Sequence, residues 1–89
     1  MKSKKQVKKL PTYTVSLKYG DKTFTESSDD LTEAILALKP GRVNNRVVFT
    51  LEHAGKKSEV MKTVFVTRRV LANRLAATLL ARYMITRLR

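Results

Sequence analysis

Residues 12–19 alternate without a fault: Tyr13, Val15, Leu17 and Tyr19 fall on one side, and Thr12, Thr14, Ser16 and Lys18 on the other. Successive side chains of an extended chain point to opposite faces, so the pattern dictates a strand with one buried and one wet face. Gly20-Asp21 then supplies a two-residue hairpin connection, with the glycine taking the positive φ of the first turn position. Lys22 to Glu26 returns as a second strand, in a register that sets Leu17 opposite Phe24. This strand has one large apolar residue and two threonines, which suits a sheet edge. A lone hairpin is at best marginally stable in water, so the remaining chain must cover it.

The cover is written downstream. Leu31, Ala34, Ile35 and Leu38 keep the i, i+3, i+4, i+7 spacing of an amphipathic helix, and Pro40-Gly41 stops it. Asp30 with Glu33 matches a capping box at its start, so the acids here complement the helix dipole rather than form an acid/base pair or a metal site. Val47, Phe49, Leu51 and His53 alternate with Arg46, Val48, Thr50 and Glu52, giving a third strand. Ala54-Gly55-Lys56-Lys57 turns it, and Glu59 to Val66 reads as a fourth strand. Its register stays open, because Met61 and Phe65 share one parity while Val60, Val64 and Val66 share the other. Thr67 is the candidate N-cap of a final helix of about 20 residues, roughly 30 Å long.

The expected fold is α+β: a four-stranded, mainly antiparallel sheet in β-β-α-β-β-α order, with a basic N-terminal arm and a long C-terminal helix. Eighty-nine residues leave room for one core, so residues 12–89 form a single domain and residues 1–11 a flexible arm.

The C-terminal helix is not a clean half-and-half cylinder. Leu71, Leu75 and Leu79 make one stripe, expected to carry folding or assembly. Ala72, Ala76, Leu80 and Tyr83 lie beside it, and Val70, Ala77, Ala81, Met84 and Leu88 populate the far side. A four-stranded sheet is only about 20 Å wide, so a single 30 Å helix is expected to overrun it or to lie along the strands. Part of its apolar surface, with Leu80, Tyr83, Met84 and Leu88, is therefore expected at a protein interface.

Charge points to the kind of partner. Nineteen Lys and Arg face seven Asp and Glu, for a net charge of +12. The excess is segregated: Lys2, Lys4, Lys5, Lys8 and Lys9 occupy the arm without an acid. After Glu59 no acid occurs, leaving Lys62, Arg68, Arg69, Arg74, Arg82, Arg87 and Arg89 without local counter-charge. Such a field either meets negative groups on other molecules or repels itself. Arginine, which dominates the last segment, binds phosphate or carboxylate bidentately and tolerates partial burial.

Other classes fall by subtraction. Cysteine is absent, which removes disulfides, thiolate nucleophiles and Cys-based zinc sites. His53 is the single histidine and ends an alternating strand. No nucleophile turn accompanies it, and Gly20, Gly41 and Gly55 stand isolated rather than in a phosphate-cradling loop. No enzyme activity, cofactor or metal is expected. The start of the chain lacks the apolar run of a signal peptide, so the protein is expected in the cytoplasm or within a particle. The apolar stretch from Val70 to Leu88 is broken by Arg74, Arg82 and Arg87, which excludes a transmembrane helix there.

The leading expectation is a non-catalytic basic protein that binds nucleic acid backbone as a small component of a nucleoprotein assembly: a ribosome-like particle, packaged genome or virion. The arm lysines and the C-terminal arginines are its contacts. The alternative is a structural or assembly protein, such as a capsid, tail or scaffold subunit, that docks on acidic protein surfaces without touching nucleic acid. Either could include a homo-oligomer. No zinc-finger spacing, RNP-type aromatic motif or GXXG loop supports sequence readout.

Overall fold

A computed structural model describes residues 12–89, so the basic arm expected over residues 1–11 lies outside the described residues. The alternating segment forms β1 (Tyr13–Tyr19), which pairs antiparallel with β2 (Lys22–Ser28). Gly20 takes φ +58° at the first turn position, and Leu17 stands opposite Phe24 as the alternation requires. After α1 (Leu31–Ala37) the chain returns as β3 (Val47–His53), which pairs antiparallel with the other side of β1, and β4 (Lys56–Lys62) follows by hairpin. The sheet order is β2-β1-β3-β4, which puts the weakly apolar β2 at an edge. Two helices complete the chain, α2 (Val64–Ala72) and α3 (Arg74–Thr86).

All helical cover lies on one face of the sheet. Val15, Leu17, Val47, Phe49, Leu51 and Val60 project from it into a core closed by Leu31, Ala34 and Ile35 of α1, Val70 of α2, and Ala77, Leu80, Ala81 and Met84 of α3. Tyr13, Tyr19 and Phe24 pack at the margin of this core, so the strand aromatics are on the covered side. The opposite face carries hydroxyls, with Thr14 bonded to Ser27 and Ser16 to Thr25, and offers no aromatic on which a base could stack.

Local chemistry explains the boundaries of α1. The Asp30 carboxylate accepts from the Thr32 and Glu33 amides, as a helix cap should. The reciprocal half of the capping box is filled differently: the Asp30 amide donates to Ser28 Oγ, which frees Glu33 to pair elsewhere. The loop from α1 to β3 is pinned by the Tyr19 hydroxyl, which donates to the Arg42 carbonyl at 2.8 Å, and by the buried Val43.

Three expectations need correction. The β3–β4 connection is a two-residue turn, Ala54-Gly55, with both residues at positive φ (+53° and +80°), so Lys56 and Lys57 belong to β4. That early start fixes the register: Val60 opposes Phe49 in the core and Met61 opposes Val48 on the open face. Second, β4 ends at Lys62, and Val64 to Val66 are helical. The N-cap is Thr63, whose hydroxyl oxygen accepts from the Val66 amide, and Thr67 is a fully buried residue whose hydroxyl donates to the Thr63 carbonyl. Third, the expected long helix is two. Asn73 leaves the helical region at φ −135°, ψ 117° and caps α3 by accepting from the Ala76 amide. The break lets the second piece turn back against α1 and α2 over the core instead of continuing as one long helix.

Candidate functional site

The division into α2 and α3 redistributes the residues expected to contact a partner. Arg68 is committed to the fold, because its Nε and Nη2 both donate to the Val43 carbonyl, at 3.2 and 3.0 Å. Arg74 pairs with Glu33 of α1, so it does have a counter-charge, one that sequence distance concealed. Arg69 stands over the Phe65 ring, and Arg87 and Lys62 both stand over the Tyr83 ring. Arg82 is exposed on α3, beside a shallow depression that also includes Asp29 and Asp30. The arginines therefore do not form one phosphate-tracking strip along a helix.

The expected protein-interface residues also divide. Leu80 and Met84 are 5% and 0% exposed and belong to the core, not to a surface. Leu88 is half-buried against that core, and Tyr83 is exposed. In the stripe expected to carry folding or assembly, Leu75 and Leu79 are 68% and 57% exposed and so lie outside the core, while Leu71 alone packs against it. The helix phase is thus rotated from the expected one, with Ala77, Leu80, Ala81 and Met84 turned inward.

Two zones result. The first is at the end of the sheet where the described chain begins. His53 Nδ1 lies 3.4 Å from the Thr12 carbonyl, and the His53 ring stacks on Tyr13 at 4.0 Å. In the β3–β4 register His53 opposes Lys56, and Lys57 exchanges two backbone hydrogen bonds with Arg89, both 3.1 Å. The root of the lysine-rich arm, the β4 lysines and Arg89 are therefore brought to one end of the fold. Two strand spacings, about 10 Å, separate Tyr13 from Lys56. That is near one Debye length at ordinary salt, so Lys56, Lys57 and Arg89 lie electrostatically close to the point where the described chain begins. Of the acids at this end, Asp29 and Asp30 stand on the opposite side, next to β2, while Glu52 opposes Lys57 across the β3–β4 pair and offsets part of the positive charge.

The second zone is a cleft of about 240 Å³ between α2 and α3, lined by Val66, Val70, Ala76, Leu79, Leu80 and Tyr83 and bordered by Lys62 and Arg69. Phe65, 70% exposed, extends the apolar surface beside it. Sequence reasoning missed this feature because Val64-Phe65-Val66 reads as strand and Leu79 as core. The available signal was Thr63, a capping residue placed directly before that run.

Among the described residues no three His, Cys, Asp or Glu side chains gather as a metal site would require, and no helix is long and apolar enough to cross a membrane. No family model matches the sequence, and comparisons with curated proteins and with solved structures find no match.

Proposed function

We propose that this protein is a non-catalytic, basic component of a nucleoprotein assembly that binds the nucleic acid backbone without reading its sequence. The observation that carries the reading is that Lys56, Lys57 and Arg89, with Glu52 opposite Lys57 as their in-register acid, gather at the end of the sheet where an arm holding five lysines begins. A helix-based readout has less support. α2 and α3 are separated by Asn73 alone, whereas a helix-turn-helix uses a turn of three or four residues. The aromatic residues of the sheet are on its covered face, which leaves shape and charge as the means of recognition.

Full-length protein titrated with random-sequence DNA and RNA should bind at low salt and release as salt rises. Replacing Lys56, Lys57 and Arg89 together by glutamate should weaken binding by on the order of tenfold or more, since each phosphate contact adds to the counterion release that drives association. Absence of binding at low salt, or indifference to that triple replacement, would remove the reading.

A further inference from the structure

The cleft between α2 and α3 has a chemistry distinct from that of the arm end, and we infer that it is a docking site for an acidic amphipathic helix of a partner protein. Its floor is aliphatic, made by Val66, Val70, Leu79 and Leu80, and its volume of about 240 Å³ exceeds the roughly 150 Å³ cavity that holds a benzene ring. It can therefore take a large apolar side chain. Exposed Phe65, under the bordering Arg69, and exposed Leu75, one helical turn before Leu79 on α3, continue the apolar surface beyond the cavity itself, as a groove that receives a helix must be.

The border decides the occupant. Lys62 and Arg69 border the cleft and Arg87 stands over its Tyr83, and among the described residues none of the three is within ion-pair distance of a carboxylate. A partner with carboxylates beside its apolar stripe would satisfy the floor and the border at once. A second copy related by two-fold symmetry is disfavoured on the same ground, because it would set Lys62, Arg69 and Arg87 against their own counterparts. Nucleic acid is disfavoured by the aromatic geometry. Lys62 Nζ and the Arg87 guanidinium stand 5.1 and 5.5 Å from the Tyr83 ring centre, and Arg69 stands 5.3 Å from that of Phe65, so cations already occupy positions over the rings that bases would stack on. This inference is independent of nucleic-acid binding at the arm end, which uses other residues.

The test uses the full chain and a fluorescent peptide of about 16 residues, with leucines at i, i+3, i+4 and i+7 and glutamates at most other positions. A control peptide has the same composition with the leucines dispersed. Anisotropy at physiological salt should show the amphipathic peptide binding at least about tenfold tighter than the control, with Leu79→Glu and Arg69→Glu each removing most of that preference. Circular dichroism of both variants should match the parent, because both side chains are exposed. Equal binding of the two peptides would reduce the effect to bulk charge and overturn the inference. So would competition by single-stranded DNA that is relieved by Leu79→Glu, which would assign the cleft to nucleic acid. A dimer in solution that Leu79→Glu converts to monomer would assign it to a second copy and likewise overturn the inference.

Discussion

The two faces of α3 are made of similar residues and meet opposite fates. Leu80 and Met84 lie against the sheet, whereas Leu75 and Leu79, on the same thirteen-residue helix, face outward beside Tyr83. Hydrophobicity alone does not distinguish them; the difference comes from where the helix starts. Asn73 begins a new helix, and the direction in which that helix leaves the cap selects Ala77, Leu80, Ala81 and Met84 as its inner row. The small alanines face a core that α3 shares closely with α1 and α2, while the larger pair fills it. Anchoring from α1 supports this placement through the Thr32–Thr78 hydroxyl contact at 3.3 Å and the Arg74–Glu33 ion pair, the latter exposed and worth at most about 1 kcal/mol.

The strongest way to break the comparison is to truncate one residue from each face. Met84→Ala should cost roughly 2–5 kcal/mol in denaturant unfolding, the range for emptying a buried position, while Leu79→Ala should cost about 0.5 kcal/mol or less. Equal losses would mean that the outer face is also buried in the folded protein. A smaller effect tests the break itself: Asn73→Ala removes the side-chain acceptor for the Ala76 amide and should cost about 1 kcal/mol. An unchanged unfolding midpoint would show that the helix phase is held by packing alone. The smallest change should be stabilising. Ala54 has φ +53° in the β3–β4 turn, a conformation that asparagine tolerates better, so Ala54→Asn should raise stability by up to about 1 kcal/mol. A loss of stability would contradict the two-residue turn.

The same contrast explains what could be read from the sequence. The first hairpin, α1 and β3 were legible because each has one apolar face at the proper period and a turn or cap residue at its boundary. The α+β class and the four-stranded antiparallel sheet followed from those elements. The C-terminal third resisted for physical reasons. Val64-Phe65-Val66 favours strand by intrinsic preference, but Thr63 caps a helix there and the buried Thr67 and Val70 hold it in place. Apolar residues surround α3 on nearly all sides, so periodicity could not choose its phase. Arg68 and Arg74 looked free because their partners, the Val43 carbonyl and Glu33, lie far back in the chain. The excess charge was fully legible, but its distribution over an arm end and an apolar cleft required the fold.

The measurement that bears most directly on the central claim is the salt dependence of nucleic-acid binding by the full chain and by a chain lacking residues 1–9. The account predicts that log K falls linearly with log salt, and that removing the five arm lysines makes the slope shallower by up to about 4.5 on duplex DNA, at about 0.9 per phosphate. The thermal midpoint of the two chains should agree. No binding by the full chain at low salt, or an identical slope for both chains, would contradict it.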